Sequence, residues 1–370
     1  MSAPTKVRRR VGRARDLESL AAELGRDHEE VAVRNGKRSG VPVVVGIHST
    51  ILGPALGGAR MWAYEATEDA LADVLRLSAA MTLKAAAAGL SLGGGKGVIC
   101  APPGSPPSGD ARRDMLLDFG DLVEELGGRY VTAEDVGTQA ADMSIIRERT
   151  THVTGLPVEA GGSGDPSPFT AIGVEAAMRA CAKARYGSAD LSDARIAVVG
   201  LGHVGSRLAA NLKKAGAEVI ASDVVTARHA TAEALGAAWT EPDEAMLAEC
   251  DVLAPCAMGG AINAATAPAL RCEIVCGCAN NQLADDSLAD DLAERGVLYA
   301  PDFIVNAGGL IHVYRELRDF SEDKAVELVL GIEGAMQRVL DAARSAGTTP
   351  LGAARQLARE RLEGSAGATP

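Results

Sequence analysis

Two lysines carry the first hint of chemistry. Arginine supplies most of the chain's cations, for only eight of the 37 Lys and Arg residues are Lys. Lys84 nonetheless stands in the apolar run AAMTLKAAAAG and Lys96 in the glycine-rich SLGGGKG, and neither segment holds a carboxylate to pair with. Arginine stays protonated in proteins, whereas an amine that is desolvated, or close to a second cation, has its pKa lowered toward neutrality and can act as a base. The competing role is that of a surface amine whose stem lies over apolar neighbours, but Gly and Ala offer little wall for it. Two amines twelve residues apart, brought together by a helix–loop–strand turn, suit an α-amino acid. One stays charged to hold the carboxylate; the other activates water. Asp135 in TAEDVGT follows a predicted strand at a loop, where catalytic groups are often placed. Its alternative is to cap a helix beginning near Thr138.

A second constellation is VVGLGHVGS, in which Gly200, Gly202 and Gly205 follow an apolar strand and open a helix. The first Gly allows the tight turn, the second lets backbone approach a pyrophosphate, and the third lets helix and strand pack closely. Leu201, His203 and Val204 complete the loop, and the helix N-terminus faces the phosphates. The next strand, AEVIAS, leads to Asp223, whose carboxylate can accept hydrogen bonds from ribose hydroxyls and would repel a 2′-phosphate. NAD is therefore the expected cofactor. GGGKG at 93–97 is not a Walker-type loop, because Gly97 stands where Ser or Thr is required.

Around these residues the pattern predicts a strand at 41–48 (VPVVVGIH) and a helix over 67–88, where Leu71, Val74, Leu75, Ser78 and Met81 recur at helical spacing. The loop SLGGGKG ends that helix and VICA resumes as a strand; another helix is expected at 112–126 and a short strand at RYVTAED. GLPVEAGGSGDPSP at 155–168 is too rich in Gly and Pro for regular structure and reads as the joint between two domains. After a helix at 171–184, the strand candidates ARIAVVG, AEVIAS, DVLAPC, EIVCG and VLYAP alternate with helices. That order implies an α/β fold with a doubly wound parallel sheet of the Rossmann type. A long helical pattern after about residue 330 is expected to pack back on the first domain.

Composition narrows the function. At 370 residues and 47% hydrophobic, the chain can bury a substantial core and favours two domains. A net charge of −12 disfavours nucleic acid, although Lys6, Arg8, Arg9, Arg10, Arg13 and Arg15 make a basic tail before the helix-like run at Leu17–Leu24. No apolar window approaches the roughly 20 residues that span a bilayer, and no signal-peptide core follows the tail, so a cytoplasmic enzyme is expected. The seven cysteines suggest reduced thiols. Cys272, Cys276 and Cys278 in RCEIVCGCAN lack ligand spacing and a His partner, which points to a buried strand with its exit loop and to no metal.

GPALGGARMW (53–62), MTLKAAAAGLSLGGGKGVI (81–99), RYVTAEDVGT (129–138), GGSGDPSPFTAIGV (161–174), VVGLGHVG (198–205), CANNQLA (278–284) and APDFIVNAGGLI (300–311) together resemble the glutamate, leucine, phenylalanine and valine dehydrogenases, most closely the leucine and valine branch. The resemblance implies a substrate-binding and oligomerisation domain over 1–155, joined by the C-terminal helix at about 335–370, and an NAD-binding domain over 165–334. It implies a homo-oligomer that oxidatively deaminates a branched-chain aliphatic L-amino acid to its 2-oxo acid and ammonia. It makes Lys84 the amine that binds the substrate carboxylate, Lys96 the catalytic amine that activates water, and Asp135 the acid that shuttles protons at the nitrogen. Gly57, Gly58 and Asn281 fall in substrate-binding motifs, and Thr170 and Asn280 in motifs beside the nicotinamide. Leu56, Ala133, Leu310 and Val313 match pocket-wall positions. Leu56 stands where a glutamate-specific pocket would need a cation, and Ala133 with Val313 favours Leu, Val or Ile over Phe. A phenylalanine dehydrogenase and a non-catalytic NAD-binding regulatory paralogue are the alternatives, with a glutamate dehydrogenase more remote. Departures from the usual motifs fall at Leu83 and Ala85, in GGAR, and in HVYREL around Tyr314.

Overall fold

The β-branched run after Ser39 forms strand as its composition demands, and it seeds a five-stranded sheet. A computed structural model describes residues 27–366, so the basic tail and the Leu17–Leu24 run lie outside the described residues. Contacts divide the chain into two compact units. One takes the chain up to Thr82 with Ser91–Gly162, the other Leu83–Leu90 and the chain from Ser163 onward.

In the first unit, β1 (Glu30–Asn35), β2 (Pro42–Ser49), β3 (Ala55–Trp62), β4 (Gly93–Cys100) and β5 (Tyr130–Glu134) lie in the order β1-β2-β4-β3-β5. β1, β2 and β4 pair antiparallel, whereas β3 pairs parallel with β4 and with β5. Helix α1 (Thr67–Ala87) opens with Glu68 and Asp69 in its first turn, where carboxylates favour the positive end of the dipole. Its Ala70, Leu71 and Val74 pack with Val33, Val44 and Val98 on one face of the sheet. Helix α2 (Gly109–Glu125) covers the other face, where Leu116, Phe119 and Leu122 meet Val43, Val45, Ile47, Ile99 and Tyr130.

One expectation is corrected here, and one strand was not foreseen. GGGKG is not a loop, since it runs without a break into VICA as β4, the middle strand of the sheet. GPALGGARMW, with glycines that favour no strand, supplies β3. Packing explains both. A Cβ on Gly94 would lie 2.1 Å from the Thr82 backbone nitrogen, and one on Gly95 would lie 2.6 Å from the Tyr130 ring. One on Gly97 would lie 2.4 Å from Phe119. β4 is pressed between α1 and two aromatic rings, and only Gly permits that approach.

The second unit holds β6 (Arg195–Val199), β7 (Glu218–Ser222), β8 (Ala238–Trp239), β9 (Cys250–Pro255), β10 (Cys272–Val275) and β11 (Leu298–Tyr299) in an all-parallel sheet ordered β11-β10-β9-β6-β7-β8. The order reverses between β6 and β9, which places a crevice beyond the carboxyl ends of those two strands, as the doubly wound reading requires. Cys272 and Cys276 are buried on β10 and at its exit. α3 (Ser167–Tyr186) precedes β6, α4 (His203–Lys214) follows it, and α5 (Gly308–Arg318), α6 (Glu322–Ala346) and α7 (Pro350–Ala366) end the described chain. The chain after about residue 330 was expected to pack back on the first domain; instead α6 packs along α3 and α7 on α6, and both group with the second unit. Arg361 of α7 donates to the carbonyls of Ala85, Ala86 and Leu90 at 3.3, 2.8 and 2.9 Å, satisfying the end of α1 that groups with this unit. Among the described residues no helix is long and apolar enough to cross a membrane.

Candidate active site

At the centre of the five-stranded sheet Lys96 is flanked by glycine. Gly46 pairs with it on β2, and on the β3 side Gly58 lies one residue before the Ala59–Gly97 pair. Gly58 in turn pairs with Ala133 of β5. A Cβ on Gly58 would lie 2.7 Å from the Asp135 Cβ, so its absence makes the room through which Asp135 reaches the lysine. Gly57 closes the opposite side, where a Cβ would fall 1.7 Å from the Gly95 carbonyl oxygen.

Lys96 is only 5% exposed. Its Nζ lies 2.8 Å from Asp135 Oδ1, and the other carboxylate oxygen accepts from Arg60 Nε at 2.8 Å. Arg60 Nη1 donates to Asp73 Oδ2 at 2.7 Å, and Asp73 also accepts from Tyr64 Oη at 2.8 Å and Arg76 Nη2 at 2.7 Å. Burial drives the Lys96 pKa down and the Arg60 charge adds to that, against the opposing pull of Asp135. Burial alone would raise Asp135, yet Lys96 and Arg60 hold it below the ordinary carboxylate range. The arrangement pairs an amine able to shed its proton with a carboxylate able to keep its charge, as proton transfer at neutral to alkaline pH requires.

Asp135 is fixed from behind. Its N–H donates to Thr138 Oγ1 at 2.9 Å, that hydroxyl donates to the Ala59 carbonyl at 2.8 Å, and the Met61 N–H donates to the Val136 carbonyl at 3.0 Å. The helix-capping alternative is not realised. The next helix begins at Ala140, and the Asp142 carboxylate accepts from the Gln139 N–H. Leu56 is buried on β3, in register with Gly94 and Val131. A cavity of about 540 Å³ opens beside Arg60, Trp62, Asp73 and Arg76; neither Lys96 nor Asp135 lines it.

In the second unit Lys84 occupies the last turn of α1. Its charge acts on Asp302, whose carboxyl is pushed up by burial against that attraction. Sequence proximity had hidden this partner, which lies more than 200 positions away. The dinucleotide loop has the geometry its glycines predict. Gly200 has φ +108°, a region closed to most L-residues. A Cβ on Gly205 would lie 1.9 Å from the Gly200 carbonyl oxygen, whereas one on Gly202 would meet nothing within 4 Å. That open space above a helix N-terminus fits a pyrophosphate. Asp223 Oδ2 accepts from the Leu201 N–H at 2.7 Å and Oδ1 from the Val225 N–H at 2.8 Å, which ties the carboxylate to the loop. Leu201 contributes only backbone there, its side chain being fully buried. His203 opens α4 with an exposed side chain, and Val204 is half-buried behind it.

Asn281 takes the left-handed conformation (φ +51°), and Asn280 Oδ1 accepts from Asn306 Nδ2 at 2.8 Å. Asn306 is 5% exposed and its Oδ1 has no partner. Thr170 lies in the first turn of α3 and donates to the Pro166 carbonyl at 3.1 Å. Leu310 is buried on α5 and Val313 half-buried. The divergent HVYREL acquires a role: His312 lies 3.3 Å from the Gly164 carbonyl, and Glu316 accepts from the N–H and hydroxyl of Ser163, so α5 pins the start of this unit. Arg60, Asp73 and Asn306 stand in these clusters although sequence reasoning did not select them. Arg60 could have been found, because on a strand it shares a face with Leu56 and Gly58.

Comparison with known proteins places the chain in a family. Residues 27–152 match the family model described as Glu/Leu/Phe/Val dehydrogenase, dimerisation domain, and residues 224–366 match Glutamate/Leucine/Phenylalanine/Valine dehydrogenase. Residues 173–260 also match the NAD binding domain of the D-isomer specific 2-hydroxyacid dehydrogenases. The chain is 43% identical to a leucine dehydrogenase of Bacillus subtilis over 338 residues, covering 91% of this chain and 92% of that one. It is 42% identical to a valine dehydrogenase of Streptomyces virginiae over 344 residues, covering 90% and 94%. The crystal structure of an L-tryptophan dehydrogenase from Nostoc punctiforme superimposes with a TM-score of 0.82 at 35% identity, covering 95% of this chain and 100% of that one.

Proposed function

We propose, from the premise that this chain belongs to the glutamate/leucine/phenylalanine/valine dehydrogenase family and is an oxidoreductase acting on amino acids, that it oxidatively deaminates branched-chain aliphatic L-amino acids (Leu, Val, Ile) with NAD. The observation that carries the reaction is the buried Lys96–Asp135 pair at 2.8 Å. Bound NAD supplies the hydride acceptor. Lys84 holds the substrate carboxylate. Asp135 takes a proton from the substrate nitrogen and returns it when ammonia leaves. Lys96, as a neutral amine, removes a proton from the water that adds to the iminium carbon, and Asp135 faces the resulting ammonium as a carboxylate once it has returned its own proton to the leaving nitrogen. Asn280 and Thr170 would hold the nicotinamide and Asn281 the substrate.

Asp223 favours NAD, since a carboxylate fixed at the end of β7 leaves no compensation for a 2′-phosphate. Leu56, Ala133, Leu310 and Val313 carry no charge to receive a second carboxylate, which favours an aliphatic side chain. The protein works as a cytoplasmic homo-oligomer through a substrate-binding domain over residues 1–155, with the dinucleotide on 165–334.

Absorbance at 340 nm with NAD and a panel of L-Leu, L-Val, L-Ile, L-Phe, L-Ala and L-Glu tests the reading beside Lys96→Ala. Turnover of the aliphatic acids, lost in the variant, is expected. NAD binding without turnover of any amino acid would instead mark a non-catalytic paralogue, and a preference for L-Phe an aromatic pocket.

A further inference from the structure

Asp135 does not belong to Lys96 alone. Of its two carboxylate oxygens, one meets Lys96 Nζ and the other meets Arg60 Nε, both at 2.8 Å. The Arg60 side chain is 21% exposed and also reaches Asp73, whose side chain is 15% exposed. Asp73 is saturated in turn by Tyr64 and Arg76. The charges therefore alternate from β4 through β5 and β3 to α1: Lys96, Asp135, Arg60, Asp73, Arg76.

We propose that Arg60 is a positioning residue for the deamination reaction, a bridge that clamps one oxygen of Asp135 so that the other stays presented to Lys96, and that Asp73 orients Arg60 for this task. The inference rests on the proposed reaction. Its physical basis is the fork of the guanidinium. Two of its nitrogens engage two carboxylates in fixed directions, which an ammonium cannot reproduce. A carboxylate shared between two cations also stabilises each of them less than an exclusive partner would. Sharing Asp135 with Arg60 leaves the protonated lysine less favoured, and the amine more available to take a proton from water. Without Arg60, Asp135 would be free to rotate and would neutralise Lys96 alone, trapping it as the ammonium ion.

A merely structural Arg60 would tie β3 to β5 and α1 and do nothing else, and the two roles separate in one set of measurements. With Arg60→Gln, kcat for L-leucine is expected to fall about a hundredfold, the NADH Kd to stay within twofold, and the rising limb of the pH–rate profile to move to higher pH. Arg60→Lys is expected to recover part of kcat and to keep the limb near its wild-type position. Trace acetylation of Lys96 by acetic anhydride across pH, read by mass spectrometry, follows the same displacement without turnover. Its outcome therefore stands apart from whether L-leucine is the substrate. An unmoved limb and an unmoved acetylation profile in folded Arg60→Gln would overturn the proposal, as would a kcat within threefold of wild type. Should Arg60→Gln fail to fold by circular dichroism, Asp73→Asn decides. A kcat about tenfold lower with unchanged NADH binding supports the bridge, and a kcat within twofold of wild type overturns it.

Discussion

Replacing Asp135 by Asn removes the anion from a lysine that is only 5% exposed, and the consequence for stability has a definite sign. Burial and Arg60 then act on Lys96 with only the weaker attraction of Asp73 opposing them, so the side chain sheds its proton in the fold instead of remaining a buried cation without a direct partner. In the unfolded chain it titrates near 10.5. Keeping it neutral in the fold costs at most 1.36 kcal/mol per pH unit below that value, about 4.8 kcal/mol at pH 7.0 and about 1.4 kcal/mol at pH 9.5. A group whose folded pKa is lowered destabilises most at low pH, and the cost disappears above its unfolded pKa. Asp135's own contribution runs the other way. Its folded pKa is depressed, so its stabilisation is present above the unfolded carboxylate range and is lost only in acid, and it is constant over this window. The penalty that Lys96 imposes on Asp135→Asn, read as its stability difference from the double variant Lys96→Met/Asp135→Asn, should therefore shrink between pH 7.0 and 9.5 by up to about 3.4 kcal/mol. Urea unfolding followed by circular dichroism at the two pH values measures it. The double variant Lys96→Met/Asp135→Asn should show no such dependence. A penalty equal at both pH values, or one that grows with pH, would refute the idea that burial strips Lys96 of its proton once Asp135 loses its charge.

Gly202→Ala should fold and melt like wild type, because its Cβ meets nothing, yet raise the NADH Kd at least tenfold in fluorescence titration. Gly205→Ala, with its Cβ 1.9 Å from a carbonyl oxygen, should lose several degrees of Tm as well as NADH binding. Lys84→Gln should raise the amino-acid KM about a hundredfold while NADH affinity stays unchanged, as separate titrations will tell. Ala133→Gly should shift the ratio of kcat/KM for L-Phe over L-Leu upward by about tenfold, since a methylene in a pocket is worth roughly 1–3 kcal/mol; an unchanged ratio would remove Ala133 from the wall.

Much of the fold was readable from local pattern. The helical recurrence of Leu71, Val74, Leu75, Ser78 and Met81 is α1, and the alternation after Gly187 is the parallel sheet. The spacing of Gly200, Gly202 and Gly205 is the loop between β6 and α4. β3 and the glycine half of β4 were not readable, because what makes them strands is what a side chain there would strike: the backbone at Thr82, the ring of Tyr130, the carbonyl of Gly95. Those neighbours come from other elements, and a glycine announces only that something is close. Lys96 stood out because cation and glycine conflict locally. Its partnership with Asp135 was half legible, but the extension to Arg60 and Asp73 depends on the register of β3 against β5 and on the face α1 presents. The same holds for Arg361, whose hydrogen bonds to Ala85, Ala86 and Leu90 span about 270 positions.

The lane of residues running across the sheet at the level of Lys96 also bears on how such a protein can diversify. Gly46 and Gly58 flank the lysine, and Ala133 follows beyond Gly58, so toward β5 the largest neighbour is a methyl group. Two of these places are closed to growth, because a Cβ on Gly46 would lie 2.6 Å from Val74 and one on Gly58 would lie 2.5 Å from the Glu134 carbonyl oxygen. Random variation there is removed by collision before it can be tried for a new substrate. Ala133, by contrast, has a side chain to enlarge or delete. Under the proposed reaction, substrate range is then retuned beside the amine while its own surroundings stay frozen, and directed-evolution libraries in this sheet are best aimed at Leu56 and Ala133.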